Sequence, residues 1–228
     1  MSIALRLNDV RARVADAAAR AGRSPSGVRL IAVSKTFPID AVRAAYEAGQ
    51  RDFGENRVQE ALQKMEACAD MSICWHLIGH LQSNKARKAA EHLSLIHSID
   101  SVDLLNRVEV AAAAASRRLE VLVQVDLAEE ATKHGAPNEA LTEIFDAARH
   151  CTAAEVVGLM IIPPLAENPE DARPWFRRLR EERDRLLAGG VAEAMLRQLS
   201  MGMSHDFEIA IEEGATMVRV GTAIFGHR

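Results

Sequence analysis

Two basic side chains stand where burial makes charge costly. Lys35 ends the apolar run "VRLIAVSKTFP" (28–38), and Arg219 sits among apolar neighbours in "TMVRVGTAIFG" (216–226). A lysine at a strand end has two readings. It snorkels into water along its methylene stem, or it is held as an amine for imine chemistry, where desolvation and neighbouring positive charge expose its lone pair to a carbonyl. A guanidinium inside a strand needs a partner, either an ion pair filling the interior or a bound ligand. Strand alternation puts Ile31, Val33 and Lys35 on one face, and Met217, Arg219 and Gly221 on one face.

Two small-residue loops add anion-binding character. "LSMGMS" (199–204) precedes a helix, and "VGT" (220–222) follows Arg219. Glycines let backbone approach closely, N–H groups at a helix start attract anions, and Ser200 and Thr222 add hydroxyls. Ser204 reads as the cap of the helix that follows. Asn56, in "FGENRVQE", is either a helix cap or a ligand to a bound group. His76 and His80 have H-x-x-x-H spacing, but across a strand and a loop and without a third ligand, so no metal is expected. Trp75 and Trp175 read as packing residues. A carbonyl-seeking lysine, a phosphate cradle and a buried arginine are satisfied together by one ligand. Pyridoxal 5′-phosphate (PLP) has an aldehyde for Lys35, a phosphate for the two loops and a pyridine nitrogen for Arg219.

Positioning these groups takes eight apolar runs rich in Val, Ile and Leu, beginning near residues 29, 52, 74, 95, 121, 156, 196 and 217, alternating with segments of helical period. Such alternation predicts parallel strands joined by crossovers. Eight strands fit an α/β fold, a closed (β/α)8 TIM-type barrel with an extra N-terminal helix bearing Ile3, Leu7, Val10, Val14 and Ala17 on one face. No helix is predicted after the eighth strand, so the N-terminal helix is expected to cover that gap. An open doubly wound sheet is the competing architecture. In a barrel, chemistry sits at the C-terminal strand ends and phosphate often binds after strands seven and eight. That is where Lys35, Asn56, Ser200, Gly221 and Thr222 fall.

The 228 residues, 48% apolar and 26% charged, suit one globular domain over 1–228. The net charge of −4 gives no global bias toward nucleic acid or anionic membrane. Three widely spaced cysteines and the lack of a signal-like or membrane-length apolar segment predict free thiols and a cytoplasmic protein.

"LIAVSKTFP", "FGENRVQE", "WHLIGHLQSNKAR", "HSIDS", "GLMIIPP" and "LSMGMSHDFEIAIEEGATMVRVGTAIFG" closely resemble the pyridoxal phosphate homeostasis protein family over about residues 28–226. The resemblance implies a barrel similar to the N-terminal domain of alanine racemase. It implies Lys35 as the Schiff-base lysine, Arg219 as ring-nitrogen partner, Ser200, Gly221 and Thr222 as phosphate binders, and Asn56 beside the cofactor. It implies a protein that buffers or delivers PLP, with apo PLP-dependent enzymes as candidate recipients, rather than an enzyme; a monomer is expected. "VDLAEEATKHG" (125–135) departs from the family's pattern at Asp126 and Glu129, so the resemblance assigns no phosphate contact to Lys133 or His134. The alternatives are a fold-type III PLP enzyme such as an amino-acid racemase, and a ligand-free scaffold that binds proteins through "SNKARK". Racemisation needs a base on each face of the substrate. The sole tyrosine, Tyr46, reads as packing, and no second domain is expected to supply another, so His80 or His205 is the alternative second base for a weak activity.

Overall fold

The structure, a computed structural model, describes residues 1–128 and 134–226. Eight parallel strands close into a barrel in chain order. They are β1 (Arg29–Val33), β2 (Asp52–Glu55), β3 (Cys74–Leu77), β4 (Leu95–Ile99), β5 (Leu119–Gln124), β6 (Ala154–Met160), β7 (Gln198–Met203) and β8 (Met217–Val220). The helices are α1 (Ile3–Arg20), α2 (Ile39–Glu47), α3 (Val58–Ala67), α4 (Ala86–His92), α5 (Val102–Ala114), α6 (Leu141–Ala148), α7 (Arg173–Ala188), α8 (Phe207–Glu212) and α9 (Thr222–Phe225). All eight predicted strands are present. Lys35, Asn56, Asp100 and Asp126, which follow β1, β2, β4 and β5, stand outside the ladder in the loops above the barrel.

The helix starts follow local chemistry in part. The Ser101 hydroxyl accepts from Leu104 N at 3.3 Å and caps α5. Asp40 lies inside the first turn of α2, where its charge suits the helix dipole, and Pro38 takes the cap position. A short α9 does follow β8, contrary to expectation. The Arg6 guanidinium donates to Ile224 O at 2.8 Å and Phe225 O at 3.2 Å, satisfying its last carbonyls. The buried face of α1, with Leu7, Val10, Val14 and Ala17, packs where a longer eighth helix would lie, against α8, α9 and α2.

The main apolar core lies between barrel and helices. A smaller cluster of Ile31, Leu95, Leu122, Val157, Met160 and Met217 fills the barrel. The Trp75 ring lies tilted 5.8 Å from that of Phe53, and Trp175 packs on the core with Arg178 over its ring. Arg87 of the basic run is paired with Glu91 at 2.7 Å. The cysteines are free, and no helix among the described residues is long and apolar enough to cross a membrane.

Among the glycines, Gly158 has the closest neighbouring strand. A Cβ there would stand 1.9 Å from Gln198 O on β7, inside covalent-scale exclusion. Gly158→Ala is expected to break the β6–β7 pairing and to destabilise the protein by about 3 kcal/mol or more. Urea unfolding checks this, and a loss under about 1 kcal/mol would show that the strands can separate cheaply.

Candidate functional site

Lys35 does not end β1; it sits two residues beyond it, in a turn. Phe37 N donates to Ser34 O at 3.0 Å across that turn, and Thr36 adopts φ +63°, a left-handed conformation that costs a β-branched residue roughly 1 kcal/mol or more. A buried ionic cluster holds it. Lys64 of α3 sends its three N–H groups to Ser34 O (2.6 Å), Glu55 Oε1 (2.8 Å) and Glu60 Oε1 (2.8 Å). Ser34 Oγ donates to Glu55 Oε1 at 2.6 Å, and the Thr36 amide donates to Glu60. Burial raises the pKa of Glu55, and the Lys64 and Ser34 hydrogen bonds oppose that rise. On the far side of the turn, the Phe37 ring lies 5.0 Å from Phe225 of α9. The turn that presents Lys35 is therefore clamped from below and from the side.

Above the turn opens a cavity of about 520 Å³ at the C-terminal end of the barrel, within the usual size of a small-molecule site. Lys35, Asn56, Arg219, Gly221 and Thr222 all line it. Asn56 is not the cap of α3; Arg57 takes that position. Asn56 is held against Gly79, where a Cβ would meet Asn56 O at 2.4 Å, so only glycine permits the approach.

Ser200 is the exception and a correction. It is fully buried and does not line the cavity; its hydroxyl lies 2.7 Å from Arg219 Nη1 and 2.9 Å from His97 Nδ1. The hydroxyl at the cavity wall belongs to Ser204. It does not cap α8, where Asp206 takes the cap position, but accepts from Gly221 N at 3.0 Å and Ala223 N at 3.4 Å. It thereby ties the loop after β7 to the first turn of α9. A register shift between Ser200 and Met203, with Gly202 at φ +91°, breaks the strand alternation and separates the two serines' roles.

Arg219 is almost wholly buried. Its Nη2 donates to Ile161 O at 2.8 Å. Desolvation lowers its pKa to about 10, with Asp206 opposing, so it stays charged at neutral pH. Below it, His97 Nε2 lies 3.0 Å from His76 Nδ1, and His76 Nε2 lies 3.1 Å from Asp52 Oδ1. Both ring nitrogens of His76 are therefore engaged away from His80. His80 stands instead on the cavity wall, stacked on His134 with ring centroids 3.7 Å apart and 3.6 Å from Asp100. Desolvation and the neighbouring His134 lower its pKa. Asp126 Oδ1 accepts from Ala128 N at 3.2 Å, in the loop after β5, while Glu129 and Lys133 lie outside the described residues. Tyr46, on α2, is not a cavity residue; its hydroxyl accepts from Ser72 N at 3.2 Å.

The clamp predicts that Lys64→Met destabilises the protein by about 3–5 kcal/mol, because Glu55 is left buried and uncompensated. Adding Glu55→Gln to that variant is expected to restore part of the loss in urea unfolding. If Lys64→Met alone cost nothing, Glu55 would not be held by Lys64.

A pH dependence follows from His97. Burial holds its pKa well below the ordinary histidine value, with His76 and Arg219 adding repulsion. The unfolded state takes up a proton near pH 6.5 and the folded state does not, so stability is full above that pH and falls below it. The expected slope from this one group is up to about 1.4 kcal/mol per pH unit between roughly pH 6.5 and 5.5. His97→Asn should flatten it; an unchanged slope would show that His97 is not buried neutral.

The alanine racemase N-terminal domain family matches residues 5–228. The pyridoxal phosphate homeostasis protein of Aquifex aeolicus is 45% identical over 228 residues, covering 100% of this chain and 99% of that protein. Its counterpart in Pseudomonas aeruginosa is 46% identical, covering 100% and 96%. PipY of Synechococcus elongatus, solved with PLP bound, superposes with a TM-score of 0.88 at 40% identity, covering 99% of this chain and 100% of that one. An alanine racemase from Clostridium difficile shares the fold, at 14% identity and a TM-score of 0.75 over 57% of its length. A barrel of this topology, with these residues at its mouth and full-length similarity to such relatives, belongs to the pyridoxal phosphate homeostasis protein family.

Proposed function

We propose that the chain, acting as one barrel domain, binds PLP in the cavity above β1 and β8 and holds it reversibly, buffering or delivering it. The observation that carries this is the convergence of Lys35 and Arg219 on one cavity of about 520 Å³. The donor set fits the group: an amine, a buried guanidinium, and hydroxyls at Ser204 and Thr222 beside Gly221. Bound PLP supplies an aldehyde that condenses reversibly with a primary amine. Lys35 is the amine that would hold it. Arg219 would donate to the ring nitrogen; a charged guanidinium has no lone pair to accept from it, so it disfavours ring protonation and leaves the ring a poorer electron sink. Ser204, Gly221 and Thr222 would hold the phosphate, with Ser204 in the place first given to Ser200. Asn56 stands beside them.

Holding rather than turnover is the reading favoured by the names of the similar full-length proteins. Racemisation needs a second base opposite Lys35; the hydroxyl of Tyr46 is engaged at Ser72, outside the cavity, which leaves His80 and His205 on the cavity wall as the candidates for that base. Recipients of released PLP would be apo forms of PLP-dependent enzymes, which an open cavity mouth can serve.

The visible absorption spectrum of the purified protein with added PLP tests the reading. An imine band is expected in the wild type and is expected to be absent in Lys35→Ala. A wild type with no band would overturn PLP binding, and a band that survives in Lys35→Ala would move the imine to another lysine. Adding L-alanine to the loaded protein and finding D-alanine accumulating would replace the holder with a racemase.

A further inference from the structure

Arg219 closes one end of a hydrogen-bonded chain that crosses the whole barrel. It runs from Arg219 Nη1 to Ser200 Oγ (2.7 Å), on to His97 Nδ1 (2.9 Å), from His97 Nε2 to His76 Nδ1 (3.0 Å), and from His76 Nε2 to Asp52 Oδ1 (3.1 Å). The first four side chains are at most 3% exposed. Asp52 is at the opposite end of the barrel, at the start of β2, with its carboxylate 23% exposed. His76 also reaches a second cavity there, about 230 Å³ and open at the barrel floor. Thus a linear series of polar groups joins a solvent-facing carboxylate to the guanidinium under the candidate cofactor site.

The two ends fix the direction of the bonds. A carboxylate only accepts and a guanidinium only donates. With both imidazoles neutral, Asp52 requires the proton of His76 on Nε2, which leaves His76 Nδ1 bare. His97 must then carry its proton on Nε2, leaving its Nδ1 to accept from Ser200. The Ser200 hydroxyl, having turned its proton toward His97, offers a lone pair to Arg219. Every bond points the same way, from Arg219 down to Asp52, and bonds so aligned polarise one another. A second proton on His76 reverses this order. His76 Nδ1–H would then donate to His97 Nε2, His97 would shift its proton to Nδ1, and Ser200 would face two donors at once.

We propose that Asp52 is a positioning residue for Arg219: its carboxylate fixes His76 and His97 as Nε2–H tautomers and so turns the Ser200 hydroxyl to receive the guanidinium. The floor of the barrel is thereby coupled to the cofactor's ring-nitrogen partner through the chain. The charged and titratable groups around His76 are Asp52, Arg29, Arg118, Glu120 and Glu155 at the floor, with Cys74 beside it and His97 above. Arg29 lies 3.9 Å from Asp52 and 4.0 Å from Glu120, so a guanidinium stands between the two carboxylates at the floor. The part of this inference that concerns the ring nitrogen rests on the PLP reading; the tautomers do not.

The test is long-range ¹H–¹⁵N correlation of the imidazoles in the full chain without cofactor at about pH 7.5, with His76 and His97 assigned by single His→Asn variants. Both are expected as neutral Nε2–H tautomers in the wild type. Asp52→Asn keeps the shape but offers a donor as well as an acceptor, so the tautomers should mix and the Arg219 guanidinium signals should move. A wild type with either ring in the Nδ1–H form, or an Asp52→Asn protein with unchanged tautomers, would overturn the proposal. The same samples are then given PLP. Expected tautomers with no imine band would fault the cofactor reading alone, and wrong tautomers with a band would fault the chain alone.

Discussion

The pairing of the first strand with the last is the contact on which the site depends. β1 and β8 are neighbours only because the barrel closes, and their register sets Ile31 opposite Arg219 and Ala32 opposite Val220. That register stands the guanidinium beside the strand whose next turn carries Lys35. Residues from near the two ends of the chain thus share one cavity, Arg219 on its strand and Lys35 on the clamped turn that follows β1. The β7–β8 register shift then carries Ser204 to the same wall, where it holds the backbone of Gly221. Strand register and the short fixed turns just beyond the strands build the site together, which suits a ligand that must find its partners already in place.

Two buried cations near β1 are stabilised by opposite means. Lys64 is surrounded by carboxylates and a carbonyl and saturates its three donors. Removing it would strand a buried charge, so its role is to fix the turn that bears Lys35. Arg219 meets neutral acceptors, Ser200 Oγ and Ile161 O. Its charge is compensated at a distance by Asp206 and keeps its field directed at the cavity. A cation neutralised by its neighbours makes a strut, and one left charged makes a recognition group. The polar chain below Arg219 belongs to the second solution, because it supplies an oriented lone pair without a carboxylate in contact.

Much of this was legible in the sequence. Eight apolar runs gave eight strands, since a parallel strand buried on both faces leaves a continuous apolar signal. Lys35 and Arg219 were conspicuous because charges at such positions are costly. Less was legible where tertiary contact decides. Ser200 and Ser204 look equivalent in "LSMGMS", yet the bulge at Gly202 sends one into the barrel and the other to the cavity. His76 was paired with His80 by spacing, but its partner is His97 on the next strand. Glu60 and Lys64 show helical spacing, while Glu55, the partner that makes Lys64 structural, comes from β2. The short α9 has too few residues for any periodic signal.

The central claim is that Lys35 is the residue that takes hold of PLP, and chemical trapping tests it most directly. The protein is incubated with PLP, reduced with borohydride, digested, and its peptides are weighed. One phosphopyridoxyl group is expected, on the peptide containing Lys35 and on that lysine. A label spread over surface lysines, or placed on any other single lysine, would contradict it.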